Sequence, residues 1–239
     1  MAAVPLAENV EQLPSLHHVA VSAQPTDALE AALSRGLPVD RLTAVRRQAR
    51  PEDRLHRLLA SALLIGAARS AGWMLSPEEV SYPPDGPPRW PGGPYCSVSH
   101  AASHVVVLIG EQAPVGVDVE EPGSASPEDL RMVLPAGLRD AVLDGRLDAT
   151  DAWMRVEAAL KAVGIGLRGL TDLSFLTPSE AQWGAHRIFL RPVTLEAEQI
   201  CWCAQTAPWS DQAIPVIRHT VQSLVELLAT AQPSRIAAP

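Results

Sequence analysis

Two acidic side chains in the segment 115–120 are spaced so that they can act on one ligand. The segment reads VGVDVE, and its alternation of apolar and polar residues predicts a β-strand. Side chains alternate between the two faces of a strand, so Asp118 and Glu120 share one face while Val117 and Val119 share the other. Two carboxylates on one face are oxygen ligands of the kind that a hard divalent cation such as Mg²⁺ prefers.

A third acid and a lysine occur on a helix that we predict over 150–166, TDAWMRVEAALKAVGIG, with Thr150 as N-cap and Gly164 as the stop. One face of this helix carries, at intervals of three and four residues, Trp153, Val156, Glu157, Leu160 and Lys161. Its apolar members predict that this face points inward, where a charge is unfavourable unless it is paired. Glu157 and Lys161 are therefore candidates for the same site; the alternative is an ordinary exposed ion pair one turn apart.

Basic residues cluster at the start of another predicted helix, which begins at Pro51 and is followed by Glu52 and Asp53. At or near its first turn lie Arg50, Arg54 and Arg57. The pattern fits an anion site, and it fits a solvated basic face equally well.

The elements that must position these residues form an α+β pattern. We predict strands at 16–22, near 80–82, at 95–100 and 103–109, and, in a second sheet, at 173–176, 183–190 and 199–204. We predict helices at 27–35, from 51 onward and at 215–229, weak helical structure over 121–149, a loose leader at 1–14 and a disordered tail at 233–239. The strand at 103–109 should form an antiparallel hairpin with 115–120, which would bring the two acids close to the corner at Ser99 and His100.

Composition narrows the class of protein. The chain has 239 residues and is 47% hydrophobic, enough for a buried core. Its net charge of −8 argues against a general nucleic-acid binder. Three cysteines are too few for a disulfide framework, and the apolar stretches are far shorter than the roughly 20 residues that span a membrane. With no signal-peptide pattern at 1–10, we expect a cytoplasmic protein.

Three segments together resemble a known family. SVSH at 97–100, GVDVE at 116–120 and WMRVEAALK at 153–161 are similar, in order and separation, to the three motifs of the 4′-phosphopantetheinyl transferases of the surfactin-synthetase-activating type. The resemblance covers roughly 45–205 and includes the His-Arg pair at 56–57 on the cofactor-contacting helix. It implies two similar α+β halves related by a pseudo-twofold, which we place at 1–115 and 116–239, with the active site in the cleft between them.

The resemblance also implies an activity. Enzymes of this family transfer the phosphopantetheine arm of coenzyme A to a serine hydroxyl of an apo acyl- or peptidyl-carrier protein, with Mg²⁺, and release adenosine 3′,5′-bisphosphate. The chain length implies the single-chain, monomeric form that serves secondary metabolism, such as polyketide or nonribosomal peptide synthesis. Coenzyme A and the carrier are thus the expected partners, with no role for nucleic acid or a membrane.

The resemblance also implies roles for the residues of this chain that match the family motifs. Asp118, Glu120 and Glu157 match the metal-binding acids, and Glu157 also matches the position thought to take the proton from the carrier serine. Lys161 matches the lysine that contacts the pyrophosphate, and Ser99 and His100 belong to the motif whose histidine donates to a phosphate oxygen. Contacts to the phosphates at the adenosine end are expected from Arg50 and Arg57, with Arg54 as a substitute.

Three positions depart from the family pattern. Val156 stands where a lysine usually precedes the motif glutamate, and Ala101 stands where many members have serine. Pro87 replaces the lysine of a common Gly-Lys-Pro, so Arg89 would supply that charge. Two alternatives remain: a non-catalytic coenzyme A-binding paralogue, in which Val156 and Pro87 mark lost chemistry, and an Mg²⁺-dependent phosphohydrolase acting on a small nucleotide.

Overall fold

The computed structural model of this chain describes residues 14–73, 77–83, 86–196 and 199–230. The elements up to the acidic strand are β1 (Ser15–Ala20), α1 (Asp27–Leu33), α2 (Val39–Arg46), α3 (Pro51–Ser70), β2 (Tyr95–His100), β3 (His104–Gly110) and β4 (Val115–Val119). The elements after it are α4 (Pro127–Leu130), α5 (Ala136–Leu143), α6 (Ala149–Val163), β5 (Leu173–Thr177), β6 (Glu180–Trp183), β7 (His186–Thr194), β8 (Ile200–Gln205), β9 (Val216–His219) and α7 (Val221–Thr230).

The strands form two sheets. The first has the order β2-β3-β1-β9, in which β3 is antiparallel to both neighbours and β9 is parallel to β1. The second has the order β4-β8-β7-β6-β5 and is antiparallel throughout. This arrangement confirms the α+β class that the sequence predicts.

The predicted hairpin between 103–109 and 115–120 is wrong. Strand β3 forms a hairpin with β2, whereas β4 pairs with β8 of the second sheet, for example Asp118 opposite Trp202. The physical reason is that both edges of β3 are already taken by β1 and β2, so no edge is free for β4. The short turn after Gly110 therefore passes the chain from one sheet to the other.

Helix α3 covers the first sheet. Pro51 occupies its first turn with Glu52 and Asp53, and its middle is buried, including Leu59, Leu63 and Leu64 at 0% exposure. Leu224 and Leu228 of α7 belong to the same hydrophobic core. The last strand and helix of the chain thus lie with the first sheet, and the boundary proposed at 115/116 falls inside β4, after its first residue.

The end of the chain corrects a second prediction. Residues 216–219 are a strand paired with β1, and the helix that we predict from 215 begins only at Val221. Thr220 is the reason, because its Oγ1 accepts a hydrogen bond from Ser223 N while Ser223 Oγ accepts one from Thr220 N. This reciprocal cap sets the start of the helix.

Helix α6 covers the second sheet. Its N-cap is Asp148, two residues before the predicted Thr150. Asp148 accepts from Asp151 N at 3.0 Å, whereas Thr150 accepts from Ala125 N. Gly164 ends the helix in the left-handed conformation, as predicted, with φ of 70°. Asp151 also accepts from Trp202 Nε1 at 2.6 Å, which ties α6 to β8.

The remaining predictions have mixed outcomes. The strands at 173–176 and 199–204 are confirmed, but 183–190 contains the end of β6, a turn at Gly184 with φ of 56°, and β7. Near 80–82 there is only an isolated bridge between Ser81 and Arg89. The leader at 1–13 and the tail from 231 lie outside the described residues. Across the described ranges, no helix combines the length and apolar character needed to cross a membrane.

Candidate active site

Asp118 on β4 is held by two side chains that come from other elements. Lys161 on α6 donates a hydrogen bond from Nζ to Asp118 Oδ1 at 2.6 Å. Ser99 on β2 donates from Oγ to the same oxygen at 2.7 Å, and Lys161 Nζ lies 3.1 Å from Ser99 Oγ. One residue from each of the three sequence motifs therefore takes part in this contact, which we call the Asp118 cluster.

A glycine lets α6 come close enough to form the Asp118 cluster. Gly116 lies two residues before Asp118 and therefore on the same face of β4. A Cβ at Gly116 would overlap the backbone oxygen of Ala158 and lie 2.5 Å from the backbone nitrogen of Ala162. Because helix and strand touch through backbone at this point, Lys161 reaches the carboxylate one pleat further along.

The second carboxylate oxygen of Asp118 is buried and, among the described residues, has no hydrogen-bond partner. Asp118 is only 2% exposed, and a buried charged acceptor without a donor is unfavourable. Ser97, two residues before Ser99 on β2, does not donate to Asp118 Oδ2. The Ser97 Oγ instead accepts a hydrogen bond from Val117 N at 3.0 Å, which joins β2 to β4. Oδ2 is thus an acceptor that a bound ligand can satisfy.

Glu157 and Glu120 are electrostatically coupled to Asp118. Burial raises the pKa of Glu157; the ammonium of Lys161 opposes that rise and the charge of Asp118 adds to it. Burial also raises the pKa of Glu120, and the charges of Asp118 and Glu157 raise it further, against a hydrogen bond from Ser124 and the charge of Lys161. A cation bound among these three acids would relieve their mutual repulsion.

The three acids fit a hard divalent cation in chemical kind but not in their present arrangement. In the part of the chain that the structure describes, no group of three or more His, Cys, Asp or Glu side chains is arranged to hold a metal ion. Carboxylates are nevertheless the ligands that Mg²⁺ prefers, and Asp118 Oδ2 is an unpartnered one. Because the three acids are not grouped around one point, binding a cation requires side chains to rearrange.

A cavity of about 610 Å³ opens beside Glu157 and Lys161, and we call it the main cavity. Ser97 and Val98 of β2 form one wall. The other walls come from 86–88 and from the loop 164–168 that follows α6. Its lining is mostly apolar apart from Glu157, Lys161, Ser97 and Arg168, and sequence reasoning had not selected the loop that carries Arg168.

His100 ends β2 next to the Asp118 cluster. Its ring stacks on that of His56 with centroids 5.3 Å apart and an interplanar angle of 6°. The residue is exposed by surface area, but neighbouring side chains partly desolvate its ring. This desolvation, followed by the charges of His56, Lys161 and Arg57, lowers the pKa of His100 to about 4, so the imidazole is neutral near pH 7. His56 is fixed in turn by a contact of 3.2 Å between Nε2 and the carbonyl oxygen of Ala102.

A smaller cavity of about 320 Å³, the arginine cavity, shares Gly86, Pro88 and Val98 with the main cavity. Two arginines line it, Arg41 and Arg57, and within the described ranges neither has an ion-pair partner. Arg41 donates to Ser61 Oγ at 2.8 Å and to the Arg57 carbonyl at 3.1 Å, and its guanidinium lies 4.3 Å above the ring centroid of Tyr82. Two guanidinium groups without an acid form a candidate anion site.

Arg57 was predicted for such a site and Arg41 was not. Arg41 lies on the short helix α2, where its position in the sequence resembles that of an ordinary surface arginine. Only the contact between α2 and α3, made through Ser61 and the Arg57 carbonyl, brings it to the cavity. No local pattern marks this residue.

The other predicted arginines lie elsewhere. Arg50 is exposed at the N-cap of α3 and lines neither the main cavity nor the arginine cavity. Arg54 forms an ion pair with Glu30 at 3.1 Å, so its charge is already used. Arg89 lines a third cavity of about 600 Å³, which shares Lys161 with the main cavity and is also lined by Tyr95 and His186.

Val156, the main departure from the family pattern, is 0% exposed and packs in the hydrophobic core between α6 and the second sheet. Its side chain does not line the main cavity. Because residue 156 does not face the main cavity, having valine there instead of lysine leaves the charge of that cavity unchanged.

The protein is an α+β chain whose two sheets touch along β2 and β4, with acids, a lysine and arginines grouped at that contact. A scan against protein-family models finds no match for the chain. A search of curated proteins finds no match either. What the molecule does is therefore inferred from the side chains at this contact.

Proposed function

We propose that this protein transfers the 4′-phosphopantetheine arm of coenzyme A to a serine of an apo acyl- or peptidyl-carrier protein. The observation that carries the proposal is the Asp118 cluster. Its members Ser99, Asp118 and Lys161 each belong to a different one of the three motifs that resemble the 4′-phosphopantetheinyl transferases, and they lie within 3.1 Å of one another. A meeting of all three motifs at one carboxylate is what the proposal requires.

The cavities suit the two ends of coenzyme A. The mostly apolar main cavity, at about 610 Å³, takes the pantetheine arm, and Lys161 at its edge takes the diphosphate. The arginine cavity takes the phosphate on the ribose, because paired guanidinium groups bind phosphate oxygens well. Neutral His100, at the end of β2, would donate a hydrogen bond to a diphosphate oxygen.

Asp118, Glu120 and Glu157 would hold Mg²⁺, which when bound supplies positive charge next to the diphosphate. In the transfer, the serine oxygen of the carrier forms a bond to the phosphorus of the pantetheine phosphate. The phosphoanhydride bond breaks, and adenosine 3′,5′-bisphosphate leaves. Glu157, whose pKa burial raises, accepts the serine proton, and Lys161 stabilises the charge on the leaving phosphate.

Further features belong to the same proposal. In this proposal the two sheets, with α3 over one and α6 over the other, would be the two halves of the family fold. The enzyme acts in the cytoplasm as a monomer, in secondary metabolism. The buried position of Val156 removes one of the two reasons for regarding the chain as a non-catalytic paralogue, because that side chain lies in the core.

The test is to mix the purified protein with coenzyme A, Mg²⁺ and a panel of apo acyl- and peptidyl-carrier proteins, and to weigh the carriers by intact-mass spectrometry. A gain of one phosphopantetheine group, abolished by EDTA, supports the proposal and reveals the carrier class. Coenzyme A binding without any mass gain would favour a non-catalytic paralogue. Phosphate released from coenzyme A or nucleotides without a carrier would favour a phosphohydrolase.

A further inference from the structure

Lys161 is unusual in this chain. Of the 19 lysine and arginine residues in the sequence, it alone is a lysine. Lysine carries a compact charge on a flexible side chain, whereas the planar guanidinium of arginine binds a carboxylate in a bidentate way. All the remaining members of this set are arginines, so the single side-chain ammonium of the protein lies at the Asp118 cluster.

In the present structure this ammonium neutralises Asp118. The carboxylate is buried, and a buried charge without a counter-charge is strongly unfavourable. Lys161 supplies that counter-charge at 2.6 Å, and Ser99 donates to the same oxygen. Lys161 therefore supplies charge balance that a metal ion next to Asp118 could also supply.

A divalent cation at Asp118 Oδ2 would lie close to the Lys161 ammonium on Oδ1. The two positive charges would repel each other, which favours movement of the ammonium away from Asp118 when a cation binds. Lys161 lines the main cavity and is 28% exposed, which gives it a path away from Asp118. An anionic group in the main cavity is the partner that would stabilise the displaced ammonium.

We propose that Lys161 gates the metal site: it is the counter-ion of Asp118 in the free protein, and a divalent cation binds tightly only after a diphosphate-bearing ligand has drawn the ammonium away. This inference rests on the proposed function, since it takes coenzyme A as the ligand and the three acids as the cation ligands. It implies positive coupling, so the cation and coenzyme A each raise the affinity for the other.

The first test measures Mn²⁺ binding by electron paramagnetic resonance, with and without coenzyme A, after correction for Mn²⁺ held by free coenzyme A. In the wild-type protein, coenzyme A should raise the Mn²⁺ affinity about tenfold or more. Lys161→Met should bind Mn²⁺ alone about tenfold more tightly than the wild type, and coenzyme A should then add less. Arg187→Met, which breaks an exposed ion pair with Glu180, controls for the lost charge.

The second test uses the wild-type side chain and does not depend on how the variant folds. Reductive methylation with ¹³C-formaldehyde labels only Lys161 and the α-amine, because the sequence has no other lysine. The Lys161 methyl resonance, identified by its absence from Lys161→Met, should stay in place when Mg²⁺ alone is added. It should shift when coenzyme A is added.

The outcomes that would overturn the gate differ from those that would overturn the proposed function. Equal Mn²⁺ affinity in the wild type and Lys161→Met, unaffected by coenzyme A, would overturn the gate even if carriers are modified in the transfer assay. A methyl resonance that moves with Mg²⁺ alone would also overturn it. If neither Mn²⁺ nor coenzyme A binds to either protein, and no carrier gains mass, the proposed function fails and the gate fails with it.

Discussion

Gly116 of β4 lies directly against the backbone of Ala158 on α6, with no room between them for a methyl group. Here the second sheet and its covering helix touch through backbone atoms. Asp118 follows two residues after Gly116, and Lys161 follows three after Ala158, so the contact sets the spacing of the ion pair between them. The geometry of the candidate active site therefore depends on the absence of a side chain.

Gly116→Ala should accordingly be damaging. The new methyl group meets backbone atoms that cannot rotate away, so β4 and α6 must separate, which costs about 1–3 kcal/mol of the free energy of unfolding. The same movement should lengthen the contact between Lys161 and Asp118 and lower the transfer rate. Urea unfolding and the carrier mass assay measure the two effects.

Gly137→Ala is the matched control. Gly137 lies within α5, and nothing is within 4 Å of a Cβ built on it. This change should leave activity intact and raise stability slightly, because alanine favours a helix over glycine by about 1 kcal/mol. If both alanines behaved alike, the close contact at Gly116 would have no special role.

Val156→Lys tests whether the missing motif lysine matters. The change restores the residue typical of the family, yet here it puts an ammonium into a core position with 0% exposure. We expect a loss of about 3 kcal/mol or more in the free energy of unfolding, and no gain in transfer rate. Thermal unfolding and the mass assay provide the measurements.

Leu143→Lys, at a position that is 52% exposed, controls for adding a lysine and should change stability by no more than about 0.5 kcal/mol. A Val156→Lys protein that is as stable as the wild type and transfers faster would show that this helix face opens toward the ligand. That result would contradict the packing of α6 described above.

Arg41→Met and Arg57→Met test the arginine cavity. Each removes one of two guanidinium groups proposed to bind the ribose phosphate, and a hydrogen bond to a charged group is worth about 1.5–3 kcal/mol. Each should therefore lower kcat/KM for coenzyme A by about 10-fold to 100-fold. The effect should disappear with 3′-dephospho-coenzyme A, which has no phosphate at that position.

Arg54→Met provides the comparison. Arg54 is paired with Glu30, so this substitution should affect stability rather than the binding of coenzyme A. Equal losses with coenzyme A and its dephospho form, in either cavity variant, would show that the arginine cavity does not bind the ribose phosphate.

Stability should fall in mild acid because of a buried histidine on β1. His17 is 0% exposed, and its Nδ1 lies 3.1 Å from His219 Nε2 on the neighbouring strand β9, one nitrogen donating and the other accepting. Burial, then the charges of His219 and His18, lowers the pKa of His17 from 6.5 to about 4. The unfolded chain therefore binds a proton that the folded chain does not between about pH 6.5 and pH 4.

The contribution of His17 is complete above pH 6.5 and is lost as the pH falls toward 4, with a total on the order of 3 kcal/mol. Urea unfolding at several pH values should show this slope in the wild type and a flatter one in His17→Gln. His186→Gln, at an exposed position, controls for the loss of an imidazole. An unchanged slope in His17→Gln would assign the acid sensitivity to other groups.

The sequence predicted the elements that have strong local patterns. The alternation of valine and acidic residues correctly predicted that Asp118 lies on a strand. The apolar residues at helical spacing, followed by Gly164, correctly predicted that Lys161 lies on a helix. Gly116 shows the limit of this reasoning, because a glycine in a strand signals a close approach but does not say what approaches.

Pairing between distant elements was not predictable in the same way. A four-residue link favours a hairpin, yet β3 has both edges filled, which depends on β1 from far earlier in the chain. The strand β9 is short and parallel to β1, so its apolar residues looked like the start of α7. Arg41 reaches its cavity only through the packing of α2 on α3, and such contacts leave no trace in a local pattern.

Carrier modification by the wild type and by Asp118→Asn, followed side by side by intact mass, tests the proposed transfer at the residue on which the three motifs converge. The variant keeps the shape of the side chain but removes its charge, and circular dichroism would verify that it folds. We predict one phosphopantetheine added per carrier by the wild type, and a rate at least about 100-fold lower for the variant. No modification of any carrier by the wild type, or equal rates for both proteins, would contradict the account.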